Sequence, residues 1–190
     1  MIDNKQAIVI LANKGFQILD LTTLTLGRRI KPGGKRCYAV TCSNNQIWTS
    51  NGGTTISQID ISGNILHSIT TKNEIQNFCI DNDRNIYYTS RGIENNVYRI
   101  TLDGQDSIFC SHSDLIYSRG IDVDSKGNVY VGGMLSHNIH RISSDGKNHQ
   151  IILTKNDGIK CPWGFCYNRE TKQFLVANDH TESVAIYSLH

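Results

Sequence analysis

The chain has 190 residues, 38% hydrophobic and 19% charged, with 16 Gly, 2 Pro and 6 Cys. That length can bury a core as one domain, and the composition excludes a disordered or helix-spanning membrane chain, since no run approaches the roughly 18 apolar residues a bilayer requires. A formal net charge of +2 gives no whole-molecule attraction to nucleic acid, so any such preference has to come from a local patch.

Taken in order, residues 6–26 (QAIVILANKGFQILDLTTLTL) begin partway through a strand pattern. Gln6–Leu11 and Phe16–Leu21 alternate as strands around the turn Asn13-Lys14-Gly15, and Thr23–Ile30 supplies a further strand. Residues 37–70 follow with strands centred on Ala39, Ile47, Ile59 and Leu66. The stretch 77–104 (NFCIDNDRNIYYTSRGIENNVYRITLDG) is then repeated in 120–146 (GIDVDSKGNVYVGGMLSHNIHRISSDG). Asn85-Ile86-Tyr87 matches Asn128-Val129-Tyr130, Arg99-Ile100 matches Arg141-Ile142, and Asp103-Gly104 matches Asp145-Gly146, a tight-turn signal. Residues 164–190 start the pattern again and stop after a third strand.

A strand-only repeat of about 40 residues predicts an all-β chain, a β-propeller of four-stranded blades. Copies of the second strand centre on Ala7, Ile47, Ile86, Val129 and Phe174, giving about five blades in one domain over 1–190, with approximate limits 1–30, 37–70, 77–109, 120–153 and 164–190. The first copy lacks its inner strand and the last its outer one, so the expectation is a piece of a six-bladed propeller whose unpaired terminal blades favour self-association. Ile47, Ile86, Val129 and Phe174 should be buried between neighbouring sheets.

Cys37, Cys42, Cys79, Cys161 and Cys166 fall on or beside the first strand of successive repeats, where a small buried hydrophobe fits. With no Cys-x-x-Cys, no Asn-x-Ser/Thr acceptor and no secretory leader in Met1–Lys5, the expected state is reduced thiols in the cytoplasm.

At Asn128–Val131 and His140-Arg141-Ile142 the chain resembles an NHL repeat, with Gly120–Asp124 and Gly127–Val131 also matching that pattern. Residues 77–104 resemble it less fully, keeping Asn85-Ile86-Tyr87 and Arg99-Ile100. The resemblance is greatest to the C-terminal propellers of tripartite-motif proteins. It implies a non-catalytic module that recognises a protein partner or ubiquitylation substrate, or alternatively RNA. Ubiquitin-ligase activity would reside in RING and B-box segments that this sequence does not contain. Two departures stand out: the family's acidic residue after Tyr-Val is Gly132 here, and Thr89-Ser90 one blade earlier. Ile86-Tyr87-Tyr88-Thr89 is also similar to the Tyr-Trp-Thr-Asp propellers of extracellular receptors, but without the Trp and the Asp.

Catalytic and metal constellations fare poorly. His137 and His140 are three apart on a strand and so point to opposite faces, which makes His140 a packing residue rather than a ligand. Asp81, Asp83, Asp122 and Asp124 lie on or after inner strands, where the gluconolactonase-like lactonases hold a metal. In the other blades, however, the position of Asp122 carries Ala39, Cys79 and Cys166, an apolar set. A metal-dependent lactonase-like hydrolase is therefore only a further alternative. No cofactor is expected. Cys161 and Ser118 have no His with an orienting acid placed beside them by sequence.

The loops leading into the inner strands are more informative. The repeat register puts Arg36, Gln76, Arg119 and Trp163 at one equivalent position, and the loops between second and third strands add Arg91, Met134 and His180 at the same end. Arginine and tryptophan are enriched in contact hot spots, so these seven are the candidate binding residues. The densest positive run, Arg28, Arg29, Lys31, Lys35 and Arg36, is the sequence's best case for phosphate contacts.

Overall fold

A computed structural model describes residues 5–11, 14–34, 36–43, 46–101, 103–168, 170–178 and 182–188. These residues form eighteen strands in five antiparallel sheets, and their helical segments are two short 3-10 turns. By backbone proximity the chain divides into two compact units, Met1–Gln76 and Asn77–His190.

The first unit holds a three-stranded sheet of β1 (Gln6–Leu11), β2 (Gly15–Asp20) and β3 (Thr25–Leu26). Its second sheet, in order, is β4 (Ala39–Ser43), β5 (Gln46–Ser50), β6 (Thr55–Ile59) and β7 (Ile65–Thr70). The strand expected over Thr23–Ile30 is broken after β3: Gly27 donates to Ile18, and pairing resumes only where Ile30 meets Phe16. Phe16, Ile30, Cys37, Ile47 and Ile59 form this unit's core.

The second unit begins within β8 (Ile75–Ile80), which is followed by β9 (Ile86–Ser90), β10 (Asn96–Ile100) and β11 (Asp106–Ser111), in that order across the sheet. Next come β12 (Ser118–Val123), β13 (Val129–Gly133), β14 (Asn138–Ile142) and β15 (His149–Leu153), then a three-stranded sheet of β16 (Gly164–Asn168), β17 (Gln173–Asn178) and β18 (Ser183–Ser188). Period-2 alternation decides which side chain meets which neighbour. In β13, Val129 and Val131 join Tyr87, Val97 and Ile121 on one face. Tyr130 between them joins Ile139, Phe174 and Val176 on the other. Ile47, Ile86, Val129 and Phe174 are all buried, as the alternation predicts.

The motif Asp-x-x-x-Asn-x-Tyr has a structural role. Asp124 Oδ1 accepts the backbone N–H groups of Lys126 (2.8 Å) and Asn128 (2.9 Å), while Oδ2 accepts Asn128 Nδ2 (2.8 Å) and the Tyr130 hydroxyl (3.1 Å). Asp81 repeats this with Asn85 and Tyr87, and Asp60 does so in part with Ser62 and Asn64. Asp124 and Asp81 thus each close a turn between first and second strands, and Asp60 one between third and fourth. Within the Asp124 turn, Gly127 takes φ 79°, and Arg84 at the matching place is held at φ 65°, a conformation that favours glycine.

The inner strands of adjacent sheets approach closely. A Cβ on Gly120 would meet Gly164 Cα at 2.9 Å and Phe165 N at 3.0 Å, so only glycine fits there. Beside this contact Asp122 Oδ2 accepts the Tyr167 N–H at 2.8 Å, joining β12 to β16.

Candidate functional site

Antiparallel strands place the β9–β10, β11–β12, β13–β14 and β15–β16 connections at corresponding ends of their sheets, and hydrogen bonds join these loops into one rim. The Ser118 N–H donates to Glu94 O (3.1 Å), Met134 N–H to Tyr117 O (3.1 Å), and Leu135 N–H to Ile116 O (3.1 Å). Ile116 N–H donates to Ser136 Oγ (3.1 Å), and Cys161 N–H to His137 Nδ1 (3.0 Å). Each loop supplies one exposed apolar side chain: Ile93 (73% exposed), Ile116 (39%), Leu135 (46%) and Trp163 (38%).

Arg119 follows the β11–β12 loop of this rim. The expectation put it in an exposed loop before a strand starting at Gly120. The structure instead starts β12 at Ser118, with a register shift between Ser118 and Ile121. Such a bulge re-aims side chains, and Arg119 is only 7% exposed. Its guanidinium carbon lies 4.1 Å from the Tyr117 ring centroid and 4.7 Å from that of Trp163. Nη2 donates to the Tyr117 hydroxyl, while Nε is buried without an acceptor. The Arg119 carbonyl accepts Thr89 Oγ1–H at 2.7 Å, fixing the bulge against β9. Tyr117 (φ 61°) and Cys161 (φ 43°), each two residues before Arg119 and Trp163, hold left-handed backbones that cost non-glycine residues energy.

The other expected residues divide. Trp163 stands in the loop before β16, as its repeat position predicts, and packs on Arg119. Met134 is in the predicted β13–β14 turn but its side chain is buried, because the turn is hydrogen-bonded down onto Tyr117. Arg91 is exposed in the bend after β9. Gln76 is a correction: it is the second residue of β8 and buried, because Ile75 N–H already pairs with Gly53 O (3.0 Å), and its Oε1 accepts the Tyr38 hydroxyl (3.3 Å). Arg36 is exposed ahead of β4, within the first unit, as are Arg28, Arg29 and Lys31. His180 and Lys35 lie outside the described residues.

A histidine cluster went unread in the sequence. His140, fully buried in β14, meets not His137 but His149 of β15, with Nδ1 and Nε2 2.5 Å apart. Its Nε2 lies 3.2 Å from Asp114 O, so that nitrogen carries the proton and Nδ1 accepts from His149. His112, beyond β11, stacks on His149 at 3.8 Å. Burial, then the neighbouring His149, pushes the His140 pKa down to about 4, and burial also lowers His149. The signal lay in three histidines, one on the third strand of its sheet and two on or beside outer strands, whose meeting depends on tertiary register, which spacing along the chain does not convey. Among the described residues no group of three or more His, Cys, Asp or Glu is arranged to hold a metal ion, and no disulfide forms. Burial raises the Cys37 thiol to about 12, so it is not a nucleophile at neutral pH.

Residues 111–134, from β11 to the Met134 turn, match a family described as a β-propeller repeat. No curated protein matches the chain in sequence. Among solved structures, a chain of the nidogen/laminin complex superposes with a TM-score of 0.77 at 17% identity, covering 96% of this chain and 74% of that one. Virginiamycin B lyase from Staphylococcus aureus gives 0.59 at 15% identity, covering 93% of this chain and 64% of its own, so this chain spans less than two thirds of that lyase. A streptogramin B lyase gives 0.61 at 15%, covering 96% and 68%. The sheets, the repeat and these likenesses define the class: the chain is an all-β, β-propeller protein whose five sheets are its blades. Among the described residues no helix is long and apolar enough to cross a membrane.

Proposed function

We propose that the chain is a non-catalytic binding module that holds a protein partner on the rim of the Asn77–His190 unit, around Trp163 and Arg119. One observation carries the reading: hydrogen-bonded neighbouring loops each expose a large apolar side chain, Ile93, Ile116, Leu135 and Trp163, and the last of these packs on the buried Arg119. Apolar and aromatic anchors ringed by polar backbone are the composition of a protein contact core. The NHL resemblance of residues 120–146 and the likeness to a chain found in a protein–protein complex, nidogen/laminin, support it. The same fold hosts lyases, and against a catalytic reading Asp81 and Asp124 are both engaged by their own turns.

RNA binding is the second reading, favoured by the exposed Arg28, Arg29, Lys31 and Arg36 of the first unit. Affinity purification at graded salt separates the two. A protein retained by wild type and by Lys147→Ala or Lys172→Ala, lost with Trp163→Ala, and little affected by salt supports the proposal. RNA released steeply with salt, and insensitive to Trp163→Ala, contradicts it.

A further inference from the structure

Arginine remains protonated at any physiological pH. Arg119 is nevertheless more than nine-tenths buried, and its contacts among the described residues are two aromatic rings and the Tyr117 hydroxyl. Among the described residues no carboxylate neutralises it, and its Nε–H has no acceptor. The rings compensate part of the charge through their π faces but leave the N–H edge unserved. A charge taken out of water without an opposite charge is expensive, and a buried donor without an acceptor adds to that cost. Both deficits belong to one planar group, and both are met by one ligand: a carboxylate lying side-on across Nε–H and Nη2–H, the bidentate geometry that guanidinium favours.

The surroundings select which carboxylate. Trp163 packs on the guanidinium, and the hydrogen-bonded loops of the same rim expose Ile93, Ile116 and Leu135, all apolar. A phosphate-bearing polymer requires several cations in a row, and the exposed basic run of this chain belongs to residues 1–76 instead. Trp163 packs on the guanidinium yet remains 38% exposed, so the buried cation lies directly beneath a side chain that reaches solvent. We propose that Arg119 is the anchor for an aspartate or glutamate side chain of a partner segment whose flanking residues are apolar, held between Tyr117 and Trp163. This rests on the binding-face reading above and names the chemistry of its partner.

The test uses the full chain and three small probes, N-acetyl-Leu-Asp-Leu-amide, its Asn counterpart, and N-acetyl-leucine, with the arginine Nε–H and tryptophan indole N–H resonances followed by NMR. The expected result is a saturable shift of the Arg119 Nε–H with the Asp peptide, and roughly tenfold or weaker binding of the Asn peptide, the loss expected of a charge-assisted pair. Arg119→Lys should abolish the discrimination while keeping a dispersed, folded spectrum. Should that variant unfold, Trp163→Ala, which leaves the guanidinium in place, must bind both peptides more weakly and still favour Asp over Asn at the Arg119 Nε–H. Equal shifts with Asp and Asn peptides, seen at the Trp163 indole, overturn the anchor but leave the binding face standing. No Arg119 shift with the Asp peptide overturns the anchor. Binding of N-acetyl-leucine alone also overturns it, assigning the site to a chain-terminal carboxylate instead.

Discussion

Lowering the pH should destabilise this protein through His140, and the size of the effect follows from the buried cluster. In the folded chain His140 is neutral: Nε2–H donates to the Asp114 carbonyl and Nδ1 accepts from His149, while His112 stacks on His149 with Asp114 beside it. The histidines oppose a proton on His140 and the Asp114 carboxylate favours one, but burial dominates and holds the pKa at about 4 against an ordinary 6.5. A histidine with a depressed folded pKa binds protons in the unfolded chain before it does so in the native one, so stability rises with pH across that window. The contribution is fully present above 6.5, is lost as pH falls toward 4, and changes no further below. At about 1.4 kcal/mol per tenfold change in proton affinity the loss is about 3 kcal/mol, a large fraction of a domain's stability. Urea unfolding followed by circular dichroism, from about pH 7.5 to about pH 4.5, measures it for wild type and His140→Leu. The variant loses stability outright at neutral pH, because His149 Nε2 and the Asp114 carbonyl lose their partner, but its pH slope should be shallower by the His140 share. Parallel slopes for the two proteins would refute the assignment of His140 as the titrating group.

Other perturbations have defined outcomes. Val129→Asp buries an unpaired charge between two sheets and should cost several kcal/mol in thermal unfolding, against about half a kcal/mol or less for Lys147→Ala. Gly120→Ala places a Cβ 2.9 Å from Gly164 Cα and should cost about 1–3 kcal/mol by the same measurement. Arg84→Gly relieves the left-handed backbone of the Asp81 turn and should raise stability by roughly 0.5–1 kcal/mol. Trp163→Ala should lower affinity for a partner on the rim by roughly 1–3 kcal/mol in titration calorimetry, with the protein still folded by circular dichroism.

Much of the architecture was readable because the repeat is local. Asn85-Ile86-Tyr87 and Asn128-Val129-Tyr130 fixed the strand register, and with it the burial of Ile86 and Val129. Their Asn and Tyr also carried a signal that the carboxylates of Asp81 and Asp124 belong to the turns, since the acid recurs at the same distance before each pair. The site was less legible. Repeat register put Arg119 and Trp163 at one equivalent position, and the structure brings their side chains together. It did not reveal the bulge that buries Arg119, because an extra residue in one strand leaves no mark on alternation over so short a segment. Gln76 failed for a related reason: the strand begins one residue before it, where Ile75 takes up the Gly53 carbonyl. The histidine cluster was out of reach, since His112, His140 and His149 meet across two sheets whose packing no pairwise spacing describes.

The central claim is that the rim around Trp163 and Arg119 is where a protein partner sits. A photo-crosslinking amino acid placed singly at exposed positions tests it most directly: Ile93, Leu135 and Trp163 on the rim, and Lys147 and Lys172 on turns at the opposite strand ends. The account predicts that one protein crosslinks from all three rim positions and from neither lysine position, and that Arg119→Lys diminishes the yield. Crosslinks arising from Lys147 or Lys172, or an RNA captured in place of a protein, would contradict it.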